Sequence, residues 1–178
     1  MNTKNNNFIL RLVYAAVCLA LCIVLPFLTG QIPQFGSMLC PMHLPVLLAG
    51  YLCGPWWAAL VGLIAPLLRH LMFSLPPFPT AIAMCFELAM YGLIAGLLYA
   101  KLPKKPLYLY ISLLGAMIAG RIVWGIAMTI IMRVTGAAFG WQAFFAGAVT
   151  GAIPGIILQI VLIPLLVLAL QKAKIIKA

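Results

Sequence analysis

Glu87 is the single acidic residue in a chain of 178 residues that carries eleven lysines and arginines. It sits in Phe78-Pro79-Thr80-Ala81-Ile82-Ala83-Met84-Cys85-Phe86-Glu87-Leu88-Ala89, a stretch too apolar to be a water-facing surface. A carboxylate in hydrocarbon is costly unless it is paired, protonated or turned toward a polar cavity, so Glu87 marks a candidate binding site. Two arginines can reach its depth. At about 1.5 Å per helical residue, Glu87 is roughly 12 Å below the outer surface, Arg69 about 7–8 Å and Arg121 near 18 Å, counted from Pro79, Ser74 and Arg133. One carboxylate against two guanidinium groups leaves a surplus of positive charge, which suits an anionic or carboxylate-bearing solute. An ion pair that only locks helices together is the competing reading, and it leaves one arginine over.

His43 is a candidate for the rim of the same cavity. Tyr91 lies one turn after Glu87 and Trp124 three residues after Arg121, so each shares a helix face with a charged candidate. Either ring can stack on a solute or serve as a packing or interface residue. A lone carboxylate cannot form an acid/base pair or a two-carboxylate metal site, and no Ser, His and acid set is recognisable. A phosphate-cradling Gly-Lys-Ser/Thr loop is missing as well. Neither catalysis nor ATP hydrolysis is therefore expected of this chain, and no cofactor is implied. The five cysteines lie in or beside apolar runs with no Cys-x-x-Cys pair; Cys40-Pro41-Met42-His43 is half a metal site without a second half, so no metal is expected.

The elements that must position these residues follow from composition. With 66% hydrophobic and 7% charged residues, the chain cannot cover itself with a polar shell, and its solvent is a lipid bilayer. No linker or low-complexity tract divides residues 1–178, which read as one integral membrane domain. The fold class is an all-α membrane protein, a bundle of six transmembrane helices over residues 8–28, 42–53, 56–74, 80–100, 107–132 and 141–170. The second is short. The stretch from Thr29 to Pro41 reads as a loop with no regular element, Gly115, Gly120 and Gly125 interrupt the fifth span, and Pro154 bends the sixth.

Charge sets the expected topology. Lys4, Arg11, Lys101, Lys104, Lys105, Lys172, Lys174 and Lys177 cluster at the two termini and in one loop. Basic residues near span ends accumulate on the cytoplasmic side, so both termini and that loop are expected there. The net charge of +10 thus reports topology, and no nucleic-acid partner is implied. Small residues recur at four-residue spacing at Ala16/Ala20, Gly50/Gly54, Gly92/Gly96 and Gly147/Gly151/Gly155, a pattern that lets helices approach closely. Most of these are expected to pack internally, while Ala16/Ala20 can face another subunit.

A small, basic-ended, six-span chain with an Ala-xxx-Ala first helix resembles the substrate-binding S components of energy-coupling factor (ECF) vitamin transporters. Gly36-Ser37-Met38-Leu39-Cys40-Pro41-Met42-His43-Leu44-Pro45-Val46 and the segment around Glu87 look like the vitamin-type branch of that family. The resemblance implies a vitamin or related micronutrient bound in the outer half of the bundle and capped by loops. It also implies a transmembrane coupling protein and two cytoplasmic ATPases as partners in a prokaryotic plasma membrane, with toppling of the subunit to release its cargo. By that analogy Ala16 and Ala20 match the docking motif, whereas His43, Arg69, Glu87, Tyr91, Arg121 and Trp124 are cavity candidates chosen by depth and chemistry. The spare arginine leans toward a carboxylate-bearing vitamin such as pantothenate, with folate, a pyridoxine-like compound and cobalamin open. The alternatives are a stand-alone transporter or channel using Glu87 as a proton site, against which no inverted repeat is visible, and a non-transporting membrane scaffold.

Overall fold

The computed structural model describes residues 3–29, 32, 36, 38–136, 140–148 and 150–176. Helix α1 (Thr3–Val24) passes into a 3-10 turn, Leu25–Thr29. It is followed by α2 (His43–Leu52), α3 (Pro55–Phe73), α4 (Phe78–Lys101) and α5 (Pro106–Val134). The short α6 (Trp141–Ala148), a 3-10 turn (Thr150–Ala152) and α7 (Ile153–Lys172) complete the chain. Five segments are long and apolar enough to cross a membrane: Phe8–Thr29, Pro55–Phe73, Phe78–Lys101, Pro106–Val134 and Ile153–Lys172, with His43–Leu52 a shorter apolar helix. Their outward faces carry large hydrophobic side chains such as Leu71, Ile118, Ile126 and Leu165, as lipid-facing helices must.

Prolines explain most of the boundaries. Pro55, Pro79 and Pro106 occupy the first turn of α3, α4 and α5, where a missing N–H costs nothing. Pro154 does the same for α7, so it starts a helix. The expected single bent span over 141–170 is therefore two helices, α6 and α7, separated at Thr150–Ala152. A second correction concerns α5, which runs unbroken through Gly115, Gly120 and Gly125. A third concerns the stretch before α2: Gly36, Met38 and Leu39 have helical backbone, and the Cys40 N–H donates to the Gly36 carbonyl at 3.1 Å. Gln31, Phe35 and Ser37 in that stretch, residues 137–139 of the loop after α5, and Lys177 lie outside the described residues.

The glycines set how closely the helices pack, and hence the register of the site. A Cβ on Gly62 of α3 would fall 2.4 Å from the Leu88 carbonyl carbon of α4, and one on Gly92 of α4 would fall 2.7 Å from the Ala58 carbonyl carbon of α3. Gly50 of α2 abuts the Gly92 carbonyl and the Gly96 N–H, and Gly96 abuts Pro55. The Gly50 and Gly92/Gly96 faces are thus spent on close contact between helices, while Gly54 caps the start of α3 at a φ of 92°.

One end of the bundle gathers the basic residues. The Phe8 ring of α1 meets Trp57 at the start of α3, with centroids 5.5 Å apart. Gln171 at the end of α7 donates to the Tyr99 hydroxyl of α4 at 2.8 Å. Lys104 donates to the Tyr99 carbonyl and lies 3.7 Å from the centre of that ring. The ends that carry Arg11, Lys101, Lys104, Lys105, Lys172 and Lys174 therefore come together. At the opposite end Phe27 and Phe73 stack edge to face, and His70 Nδ1 lies 2.8 Å from the Pro76 carbonyl oxygen.

Candidate functional site

The short α2 creates the site. Pro41 and Met42 form a turn after Cys40, whose φ of 47° reverses the chain, and α2 then starts at His43, halfway down the bundle. Gly50 packs level with Gly92–Gly96 on α4, so His43, seven residues earlier, is level with Glu87. Among the described residues no long helix fills the space above the first turn of α2, and a cavity of about 440 Å³ occupies it. Its walls come from the 3-10 turn after α1 (Pro26, Thr29), from Pro41 and Met42, from the α3–α4 connection (Leu75–Pro77) and from α4 and α5.

Five of the six cavity candidates line this space: His43, Arg69, Glu87, Arg121 and Trp124. Glu87 Oε1 is 2.9 Å from Arg121 Nη1 and 3.3 Å from His43 Nε2, and the carboxylate is 1% exposed. His43 Nε2, Glu87 Oε1 and Arg121 Nε make no well-directed hydrogen bond, so the cluster keeps hydrogen-bonding capacity for a polar group. Arg121 also donates to Cys40 Sγ at 3.5 Å. A buried carboxylate flanked by a guanidinium and an imidazole is compensated for its desolvation and still offers acceptor capacity to a ligand.

Arg69 stands apart from this cluster. Its Nη1 donates to the Ile23 carbonyl of α1 at 2.8 Å, and the guanidinium lies 5.5 Å from the Phe27 ring centre and 5.3 Å from that of Phe73. Among the described residues it meets no carboxylate. Arg121, rather than Arg69, is the partner of Glu87, and Arg69 is the cation left over.

Tyr91, the sixth candidate, lies behind His43, its ring meeting the imidazole edge to face at 5.0 Å. It is fully buried and is not a cavity wall. A Cβ on Gly120 would fall 2.1 Å from the Tyr91 ring, so α5 must present a glycine there. Trp124 packs on Phe144 of α6, with centroids 6.3 Å apart, and so joins the short helix to the cavity wall. His70 is bound to the Pro76 carbonyl and faces the α3–α4 connection.

Thr80, Met84, Cys40 and Met42 also line the cavity and were not among the sequence candidates. Thr80 and Met84 lie on the Glu87 face of α4 at helical spacing, a signal that the sequence did carry. Cys40 reaches Arg121 across 81 residues of chain, and no local pattern announces that. The five cysteines are buried as thiols, as their apolar surroundings imply. Among the described residues no group of three His, Cys, Asp or Glu side chains could hold a metal ion.

A family model described as "ECF transporter, substrate-specific component" matches residues 10–167. The chain belongs to that family. No curated protein and no solved structure matches it significantly. As an S component it is the substrate-binding subunit of a transporter rather than an enzyme, and its apolar helices make it a multi-pass membrane protein. Ala16 and Ala20 of this S component are both exposed. They share one stripe of α1 with the exposed Val13, Val17 and Val24, opposite the buried Ala15, Cys18 and Cys22.

Proposed function

We propose that the chain is the high-affinity binding subunit of an ECF-type, ATP-driven importer for a small carboxylate-bearing vitamin, with pantothenate the leading example. The observation that carries the reading is the second guanidinium: Glu87 neutralises Arg121, while Arg69 lines the same cavity with no acidic partner among the described residues. A cavity of about 440 Å³ suits a molecule of roughly 15–20 non-hydrogen atoms, which favours pantothenate over a corrinoid. The bundle lies with its basic end in the cytoplasm and the cavity toward the outer face, with the short α2 counted as part of the sixth crossing. Residues 1–178 act as one domain in a prokaryotic plasma membrane.

Mass spectrometry of solute released from the detergent-purified protein tests the binding role, and an anionic micronutrient is expected. Reconstituted uptake that requires ATP and a coupling protein with two ATPases supports the importer, whereas uptake driven by a proton gradient alone favours a stand-alone carrier. The coupling protein is proposed to dock on the Ala16/Ala20 stripe, where small side chains let another helix approach closely. Ala16→Leu combined with Ala20→Leu is expected to leave solute affinity within about twofold and to abolish copurification with the coupling protein, since the altered stripe faces away from the cavity.

A further inference from the structure

The cavity holds its charges at two heights. Gly62 of α3 abuts Leu88 of the antiparallel α4, and Gly92 abuts Ala58. Arg69, seven residues beyond Gly62, is therefore level with Ala81, six residues nearer the mouth than Glu87, or ~9 Å at ~1.5 Å per residue. His43, Glu87 and Arg121 form the floor, Arg69 stands near the rim, and Met84, Pro76 and Met42 contribute apolar wall.

The two levels differ in what they can recognise. At the floor the charges of Glu87 and Arg121 balance, so a second anion there meets the carboxylate and a cation meets the guanidinium. A neutral hydroxyl or N–H can donate to Glu87 without either penalty. At the rim Arg69 keeps an unbalanced charge. The Ile23 carbonyl takes one of its N–H groups, and the guanidinium lies over the neighbouring Phe27 and Phe73 rings, contacts that hold the fork before any ligand arrives.

We propose that the cavity selects monoanions by two-point recognition, with a carboxylate on Arg69 near the mouth and a hydroxyl or N–H donor about 9 Å deeper on Glu87. The inference rests on the binding role above and adds the polarity of the bound solute, its net charge and the residue that reads each end. Dicarboxylates, amines and uncharged analogues of the same size are disfavoured.

Pantothenate and panthenol make a suitable probe pair, because they share hydroxyls and amide and differ in that an alcohol replaces the carboxylate. Titration calorimetry on the detergent-purified protein is expected to show pantothenate binding roughly 10- to 150-fold tighter than panthenol, the range of a charged hydrogen-bond pair. Arg69→Gln should remove that advantage and leave panthenol affinity unchanged, Arg69→Lys should restore part of it, and Glu87→Gln should weaken both probes alike. Unchanged thermal unfolding of the Arg69 variants shows that the fold survives.

Equal affinity of the unaltered protein for the two probes, or equal loss of both in Arg69→Gln, would overturn the assignment. So would failure to bind pantothenate together with retention of a cationic or dianionic solute, an outcome that leaves the binding role standing. A protein that retains no solute and binds neither probe overturns the binding role itself.

Discussion

Glu87→Ala is expected to abolish solute retention and to lower the thermal unfolding midpoint of the purified protein by roughly 10 °C, from a loss of about 3–5 kcal/mol. The reason lies in what the substitution leaves behind. Arg121 is 14% exposed and its Nη1 has the Glu87 carboxylate 2.9 Å away; without that carboxylate a guanidinium remains inside an apolar bundle. His43 loses the same neighbour, and the floor of the cavity acquires net positive charge. Because the cost comes from an orphaned charge, removing the charge should return much of it. Glu87→Ala combined with Arg121→Met should unfold at a higher temperature than Glu87→Ala alone, while binding stays absent. A double mutant no more stable than the single one would show that the pair contributes little and that the loss comes from packing around Glu87.

Much of this site is legible in the sequence. The carboxylate is conspicuous because lipid makes every intramembrane charge expensive. Helix rise orders Arg69 and Glu87 as the packing of α3 on α4 does, but it sets Arg121 about 6 Å deeper than Glu87, whereas a long side chain brings its guanidinium to 2.9 Å from the carboxylate. The short α2 was visible too, since its apolar run is bounded by Pro41 and Gly54. What the sequence withheld depends on contacts between distant segments. The choice of Arg121 over Arg69 as partner of Glu87 is decided by which face of α3 and α5 meets α4. Arg69 is held instead by a backbone carbonyl of α1, 46 residues away, and backbone acceptors leave no mark in side-chain patterns. Pro154, read as a bend within one span, in fact begins a helix, for a different reason. A proline inside an apolar run can bend one helix or begin another, and only the turn at Thr150–Ala152 separates the two cases. Tyr91 had the correct spacing from Glu87, yet one further turn along the helix carries it below the cavity and behind His43.

Gly62→Val is expected to prevent accumulation of folded protein in the membrane, and Gly62→Ala to yield a protein that unfolds earlier and binds solute weakly. At Gly62 a first side-chain carbon would lie 2.4 Å from the Leu88 carbonyl carbon, 2.5 Å from its oxygen and 2.6 Å from the Ala89 nitrogen. These are backbone atoms in the middle of a helix, so relief requires α3 and α4 to separate, which loses van der Waals contact along both helices where no hydrophobic effect replaces it. The functional consequence follows from the same geometry. The Gly62 contact fixes α3 against α4 and thereby the height of Arg69 above Glu87, so spreading the pair shifts the rim cation relative to the floor carboxylate. Gly115→Ala is the appropriate control, because a Cβ there meets only the tip of the Leu98 side chain at 2.9 Å, and rotation of that side chain relieves the contact. It should be neutral or slightly stabilising, given the helix preference of alanine over glycine of about 1 kcal/mol. Fluorescence-detected size-exclusion chromatography of the three variants, with thermal unfolding where protein is recovered, reads the order directly. If Gly62→Ala behaved like Gly115→Ala, the α3–α4 contact would be loose enough to absorb a methyl group, and the fixed spacing of the two recognition points would lose its structural basis.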